Sequence, residues 1–116
     1  MNRVSLYHNP RCSKSRQALQ RLRGANVEPE IIEYLKSPPS VSELDRILKL
    51  LAMQPRELMR KKEAVYNELG LEDEKLDRQS LLQAMVAHPI LIERPIAVAN
   101  GRAALGRPPE NVLDVL

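Results

Sequence analysis

The only cysteine of the chain lies in a short stretch that is rich in cations, hydroxyls and turn-forming residues: His8-Asn9-Pro10-Arg11-Cys12-Ser13-Lys14-Ser15-Arg16. The alternating run before it predicts a strand, and the residues after it have the spacing of a helix. Cys12 is therefore expected where a strand turns into a helix N-terminus. Helix N-termini and neighbouring cations stabilise the thiolate, which is the nucleophilic form of cysteine, and they also attract anions. We interpret Cys12 as a nucleophile rather than a buried structural thiol, with Arg11 supporting the thiolate.

Two further side chains of this stretch are placed to assist the sulfur. His8 lies four residues before Cys12, and it either exchanges protons in the reaction or orients the loop by hydrogen bonding. Ser15 stands where a Cys-x-x-Cys motif would have its second sulfur. Its hydroxyl either donates to the Cys12 thiolate or is an ordinary polar group in the first helical turn.

A single thiol limits both the compartment and the redox chemistry. One cysteine cannot form an internal disulfide, which is typical of cytoplasmic proteins. The chain also has no second thiol to resolve an oxidised Cys12, so a redox cycle needs a thiol from outside. A phosphatase-like loop would need an arginine six residues after Cys12, where Ala18 stands. Since His8, Cys12 and His88 do not have metal-ligand spacing, neither a metal nor a bound cofactor is expected.

Three arginines, Arg60, Arg94 and Arg107, stand at positions that are unusual for solvated charges. The first ends a short predicted helix, the second precedes a strand and the third follows one. Guanidinium groups bind oxyanions in a bidentate manner, so the three would form an anion pocket if they converged. The residues alone leave open whether they converge or are unrelated surface charges. Pro95, which follows Arg94, is a candidate cis-proline.

The composition is that of a globular chain with an aliphatic core. Among 116 residues there are three Tyr and neither Phe nor Trp, so no aromatic platform for single-stranded nucleic acid is expected. No apolar run is long enough for a membrane span. Residues 1–62 carry 13 Lys/Arg and 6 Asp/Glu, a net +7, whereas residues 63–116 carry 5 and 9, a net −4. This asymmetry reflects either solvated helix faces or a positive field that attracts a small anion to Cys12.

The order of the predicted elements is β-α-β, a helical block over about residues 40–88, and β-β-α, which indicates an α/β fold with a mixed sheet. The first two strands are expected to be parallel, and Asn100-Gly101 predicts a hairpin turn. Gly24 is expected to cap the first helix, and Ser40 and Glu43 to form a capping box. The predicted strands cover residues 3–7, 30–34, 96–99 and 102–105. The apolar faces of the first and last helices are predicted to be Ala18, Leu19, Leu22 and Ala25, and Val112, Leu113, Val115 and Leu116.

The reactive stretch and three further segments resemble a known family, the glutaredoxin-coupled arsenate reductases. The resemblance runs from near Val4 to Leu116. A small residue stands at position 11 in the best-known members, and some carry a longer C-terminal tail, so the chain resembles a chromosomal relative of them. The motifs that carry the resemblance are Tyr7-His8-Asn9-Pro10-Arg11-Cys12-Ser13-Lys14-Ser15-Arg16, Leu58-Met59-Arg60-Lys61, His88-Pro89-Ile90-Leu91-Ile92-Glu93-Arg94-Pro95-Ile96 and Gly106-Arg107-Pro108-Pro109-Glu110.

The resemblance implies a single thioredoxin-like domain over residues 1–116, with a four-stranded mixed sheet, flanking helices and a helical insertion at about 40–88. It implies that Cys12, with His8 near it, attacks arsenate or a similar oxyanion. It also implies an oxyanion pocket of Arg60, Arg94 and Arg107, and a cis-proline at Pro95. Glutathione is the expected co-substrate and glutaredoxin the expected protein partner, with release of arsenite.

Two other functions remain compatible with the residues. One is a glutathione-dependent reductase of other disulfides, which needs Cys12 but not the three arginines together. The other is a non-enzymatic regulatory protein of the same fold. Regulators in the family typically carry Cys-x-x-Cys, and the presence of Ser15 at the second position disfavours that reading.

Overall fold

A computed structural model describes residues 3–116, which form two compact units. The first comprises residues 3–37 and 94–116, and the second comprises residues 38–93. The helical insertion expected at about 40–88 falls within the second unit, while the organisation as a single domain stays a prediction.

The first unit is built on a four-stranded mixed sheet, as predicted. Strand β1 pairs in parallel with β2 and antiparallel with β3, and β3 pairs antiparallel with β4, in the order β2-β1-β3-β4. The predicted first strand begins two residues too early and ends one residue too early, and the second is one residue too long. The strands are β1 (Ser5–His8), β2 (Glu30–Glu33), β3 (Ile96–Ala99) and β4 (Arg102–Leu105).

The hairpin turn between β3 and β4 is the one that its sequence predicts. Asn100 and Gly101 both have positive φ, 56° and 66°, which is the conformation of a type I′ turn. Residues that readily adopt a positive φ are mainly Asn, Asp and Gly, so the dipeptide determines both the turn and the register of the two strands.

Helix α1 covers Ser13–Gly24 and buries Ser15, Ala18 and Leu22 against the sheet. Two details of its C-terminal end differ from the prediction. Gly24 is the last helical residue rather than the cap, and the residue in the left-handed region is Asn26, with φ of 63°. Ala25 is exposed, because the helix has ended before its side chain can face the core.

A last 3₁₀ helix, Pro109–Val115, packs against α1 and completes an aliphatic core. Val112 and Val115 are fully buried, whereas Leu116, which was predicted to be buried, is 46% exposed. This helix has three residues per turn rather than 3.6. Val112 and Val115, which are three residues apart, therefore share its buried side, whereas Leu116, one residue further on, does not. The core residues are Val4, Leu6, Ala18, Leu22, Ala97, Ala99, Ala104, Val112 and Val115.

The second unit is helical. Ser40 Oγ accepts the Glu43 N–H at the start of the first helix of this unit (3.1 Å), and Asp77 Oδ1 accepts the Ser80 N–H (2.8 Å) at the start of its third α-helix. Only half of the predicted capping box forms at Ser40, because the Glu43 carboxylate pairs with Arg46. The elements are α2 (Val41–Leu51), a 3₁₀ helix (Pro55–Leu58), α3 (Ala64–Glu68), α4 (Arg78–Ala87) and a 3₁₀ helix (Pro89–Leu91).

The buried faces of α2 and α4 have the spacing of an amphipathic helix. Leu44, Ile47 and Leu48 are buried on the first and Leu81, Leu82 and Met85 on the second. The predicted helix after Gln54 is shorter than expected, since it ends at Leu58 rather than near Arg60. Among residues 3–116, no helix has the length and apolar character that crossing a membrane requires.

Candidate active site

The loop between β1 and α1 presents Cys12 at the very start of the helix. Cys12 is the N-cap residue, and its carbonyl accepts the Arg16 N–H at 3.0 Å, as the first helical hydrogen bond requires. The Cys12 N–H donates to the Asn9 carbonyl at 3.0 Å, and Asn9 Oδ1 accepts the Arg11 N–H at 3.0 Å. The thiol is partly exposed. The loop is thus held by its own backbone and by the Asn9 side chain, and Cys12 directly precedes the free N–H groups of the first turn.

His8 and Ser15 form a buried pair beneath this loop. His8 Nδ1 and Ser15 Oγ are 2.6 Å apart, and the Asn9 N–H donates to the same hydroxyl at 3.0 Å. His8 is 6% exposed and Ser15 is completely buried. The pair ties the end of β1 to the first turn of α1. The structure places the hydroxyl on His8 and Asn9 rather than on Cys12, so any support that Ser15 gives the thiolate acts through the position of the loop.

The electrostatic environment of His8 favours the neutral imidazole. Burial lowers the pKa of His8 from its ordinary value of 6.5, because the charged form loses hydration. The positive charges of Arg16 and Arg23 lower it further, whereas the carboxylate of Glu33 opposes them. A neutral ring accepts at one nitrogen and donates at the other, so it can share a hydrogen bond with Ser15 in either direction.

The cations of the loop are arranged in two ways. The Arg16 guanidinium donates to the Pro10 carbonyl at 2.9 Å and so braces the loop. Arg11 and Lys14 are exposed, and within residues 3–116 neither side chain makes a hydrogen bond or ion pair. Their charges are therefore available to an anion that approaches Cys12.

The strand register brings two of the three arginines to the end of the sheet where the Cys12 loop begins. Tyr7 pairs with Ile96, and Ile96 pairs with Leu105, so the residues just before β3 and just after β4 lie at the same edge as His8. Arg94 and Arg107 occupy those positions, and Arg107 Nε donates to the Arg94 carbonyl at 3.0 Å. The peptide bonds that precede Pro95 and Pro108 are both cis.

Arg60 lies in the second unit. An antiparallel bridge joins Met59 and Ile92, and the Arg60 N–H donates to the Leu91 carbonyl at 2.7 Å. Its guanidinium pairs with Glu63 at 3.4 Å and with Glu93 at 3.9 Å, and the side chain is 29% exposed. Two carboxylates thus hold Arg60 in a defined orientation, and its convergence with Arg94 and Arg107 on one anion stays a prediction.

Sequence reasoning missed Glu33 and the two roles of Asn9. Glu33 pairs with His8 in the parallel register of β1 and β2 and acts on the His8 charge. Asn9 shapes the loop through its side chain and its backbone. The Asn-Pro dipeptide is a turn signal that pointed to Asn9, whereas Glu33 is recognisable only once the register is known.

The arrangement places a partly exposed thiol at a helix N-terminus, at the same end of the sheet as Arg94 and Arg107, which is suited to nucleophilic attack on a bound oxyanion. It offers no metal centre, since no group of three or more His, Cys, Asp or Glu side chains able to hold a metal occurs in the described part of the chain. It also offers one sulfur, so electrons for any reduction must come from a second thiol.

A sequence model of the ArsC family matches residues 7–115. The match covers nearly the whole chain and includes Cys12 and all three arginines. The chain belongs to the ArsC family.

Individual relatives agree with this assignment. The chain is 48% identical to the arsenate reductase of Neisseria meningitidis serogroup A over the full length of both proteins. It is 54% identical to the uncharacterized protein YfgD of Escherichia coli K12, over 97% of this chain and 96% of that one. The solved structure of an arsenate reductase from Vibrio cholerae superimposes with a TM-score of 0.94 at 50% identity, covering 97% of each chain. The predicted thioredoxin-like fold is thereby confirmed.

Proposed function

We propose that this protein is an arsenate reductase that takes its electrons from glutathione and glutaredoxin in the cytoplasm. The observation that carries the proposal is the position of Cys12. It is a partly exposed thiol at a helix N-cap, at the same sheet edge as Arg94 and Arg107. Membership of the ArsC family and the arsenate reductases among its relatives support the choice of arsenate over other oxyanions.

In this proposal the arginines hold the oxyanion and the loop supplies the nucleophile. Arg94 and Arg107 neutralise the charge of arsenate and orient it for attack, and Arg60 is the third donor. Charge-assisted hydrogen bonds from guanidinium groups are about twice as strong as neutral ones. The N–H groups of the first turn of α1 stabilise negative charge that develops on the arsenate oxygens.

The reaction is a two-electron reduction of arsenic by two external thiols. The Cys12 thiolate attacks arsenic and an arsenate oxygen leaves as water, which forms an S–As bond. The sulfur of glutathione then replaces a second oxygen. A glutaredoxin thiolate attacks that sulfur, the electron pair of the broken S–As bond stays on arsenic, and arsenic passes from As(V) to As(III). Water finally displaces the Cys12 sulfur, which releases arsenite and regenerates the thiol.

His8 and Ser15 position the loop in this proposal. The buried pair fixes the end of β1 against α1, so that Cys12 stays at the helix N-terminus when the anion binds. Neutral His8 does not add charge to the site, and it is available to share a proton with neighbouring groups.

A coupled assay tests the proposal. Arsenate-dependent oxidation of NADPH is followed with glutathione, glutaredoxin and glutathione reductase present, and the Cys12→Ser variant serves as the blank. We expect turnover only with the intact thiol. Equal rates for the two proteins would rule out Cys12-dependent arsenate reduction.

Arg107 and Arg102 provide a matched pair for the oxyanion pocket, because Arg107 follows one end of β4 and Arg102 is the first residue at the other end. Arg107→Ala removes a charge-assisted contact of about 1.5–3 kcal/mol, so kcat/KM for arsenate should fall roughly 10- to 100-fold. Arg102→Ala should leave it unchanged. Disulfide reduction that is insensitive to Arg107→Ala, without arsenate turnover, would instead favour a general thiol reductase.

A further inference from the structure

A cavity of about 400 Å³ opens beside the Cys12 loop, at the carboxyl ends of β1 and β2. Its volume is within the range of about 300–1,000 Å³ that is common for small-ligand sites. The proposed reaction gives no role to two of its walls, Leu35 and Lys36. The lining residues are His8, Asn9, Pro10, Arg11, Glu33, Leu35 and Lys36.

The walls combine charges of both signs with apolar surface. Arg11 and Lys36 are cations, and Glu33 is a carboxylate. Pro10 and Leu35 are exposed, and Leu35 leaves 42% of its surface uncovered. The buried imidazole of His8 is held in its neutral form, so it adds a polar wall without charge. The cavity therefore carries two positive charges and one negative charge around an apolar contact surface.

The charges of this cavity are free to be re-paired by a ligand. Lys36 Nζ and Glu33 Oε1 are 3.8 Å apart, and their side chains are 80% and 46% exposed, so the pair contributes little stability. The Arg11 guanidinium makes no recorded bond within the described residues. A larger cavity of about 660 Å³ in the second unit differs in this respect, because its Asp45 already pairs with Arg78 at 2.7 Å and Lys49 at 3.0 Å.

We infer that this cavity binds glutathione, the external thiol that the proposed function requires. Glutathione carries two carboxylates and one ammonium group, which is the complement of two cations and one carboxylate. Its net charge of about −1 opposes the net +1 of Arg11, Lys36 and Glu33 at neutral pH. Arg11 and Lys36 bind the carboxylates, Glu33 binds the ammonium, and Pro10 and Leu35 contact the methylene groups. Arg11 lines the cavity and is directly followed by Cys12, so a glutathione bound there lies against the loop that carries the sulfur.

Binding is tested without turnover, by titrating the full-length protein with S-methylglutathione and following backbone amide signals by NMR. This probe keeps both carboxylates and the ammonium but cannot exchange. We expect the largest shifts at residues 9–11 and 33–36. Lys36→Glu should weaken binding about five- to tenfold, since it removes one attraction and adds a repulsion. Lys75→Glu, the same reversal at an exposed lysine of the second unit, should leave the affinity unchanged.

A second probe identifies the group that Lys36 and Arg11 contact. The glycine ethyl ester of S-methylglutathione lacks one carboxylate, so it should bind the wild type more weakly and lose less on Lys36→Glu. Any one of three results would overturn the inference. These are amide shifts centred away from residues 9–11 and 33–36, no binding at millimolar probe, and equal affinities for Lys36→Glu and Lys75→Glu. Lys36→Gln, which adds no negative charge, repeats the comparison if Lys36→Glu fails to fold.

The outcome of the binding test is independent of the outcome of the coupled assay. S-methylglutathione binding involves neither arsenate nor glutaredoxin, so it can succeed in a protein that does not reduce arsenate. Conversely, arsenate turnover in Lys36→Glu with an unchanged KM for glutathione would overturn this site and leave the proposed function intact. If the glutathione site and the proposed function are both correct, Lys36→Glu raises the KM for glutathione about five- to tenfold while the KM for arsenate stays constant.

Discussion

The hydroxyl of Ser15 is completely buried and contacts two groups of the loop that carries Cys12. It lies 2.6 Å from His8 Nδ1 and accepts the Asn9 N–H at 3.0 Å. At this position a Cys-x-x-Cys protein would carry its second sulfur. Here the residue ties the loop to the helix, and in the proposed cycle the second thiol comes from an external molecule.

Removing this hydroxyl should destabilise the fold. Ser15→Ala leaves the buried His8 nitrogen and the Asn9 N–H without their partner, so the free energy of unfolding should fall by about 1–3 kcal/mol. Urea denaturation followed by circular dichroism measures the change. Ser37→Ala is the control, because Ser37 is exposed, and its effect should stay within about 0.5 kcal/mol. Equal stabilities for the two variants would show that the His8–Ser15 bond does not hold the loop.

At the scale of elements, the end of the sheet beside the Cys12 loop depends on a close backbone contact. Gly106 follows β4, and its N–H donates to the Pro95 carbonyl at 2.8 Å. A Cβ atom at Gly106 would lie 2.6 Å from Pro95 Cγ and 3.0 Å from Val112 Cγ1. The contact leaves no room for a side chain between the entrance of β3 and the last 3₁₀ helix.

Two glycine substitutions therefore have opposite expected effects. Gly106→Ala should lower the unfolding free energy by about 1–3 kcal/mol through overpacking. Gly24→Ala, at a helical position where a Cβ meets nothing within 4 Å, should raise it by up to about 1 kcal/mol. Thermal or urea unfolding of both variants checks the signs. A neutral Gly106→Ala would mean that Pro95 can move away.

At the scale of the whole molecule, acid should destabilise the chain in two steps. The folded state keeps His8 neutral by lowering its pKa, so the unfolded chain binds a proton at higher pH than the folded chain does. Stability is therefore full above the ordinary value of 6.5 and is lost as the pH falls below it. A second loss of stability follows at lower pH, when three carboxylates with lowered pKa values are protonated. A hydrogen bond from Arg23 lowers the pKa of Glu28, one from Arg78 lowers that of Asp45, and one from the Ser80 N–H lowers that of Asp77.

The first step can be isolated with one substitution. Between about pH 7.5 and about pH 5.5, His8 is the group whose burial matters, since the carboxylates titrate below that window. Urea unfolding of the wild type should show a lower free energy at the acidic end. His8→Asn, which keeps a polar atom near Ser15 but does not titrate, should show a smaller decrease. An identical pH dependence in both proteins would show that His8 does not control this step.

Local patterns were sufficient for most of the architecture. The helix spacing after Cys12 and the Asn100-Gly101 turn are determined by neighbouring residues, and they form as predicted. Errors occurred at the ends of elements. The helix α1 continues through Gly24, and the last helix is a 3₁₀ helix that exposes Leu116, because packing decides where a helix ends and how it is wound.

By itself, the sequence determined that this protein has one thiol, at the start of a helix, with cations around it and no second cysteine. These are properties of residue type and of spacing along a few turns. Only the tertiary structure decided which groups meet. It paired Ser15 with His8 rather than with Cys12, set Glu33 beside His8, and gathered Arg94 and Arg107 at the edge of the sheet where the loop begins. The placements of Glu33, Arg94 and Arg107 join residues far apart in the chain, and the register that sets them is decided by the burial of the whole sheet.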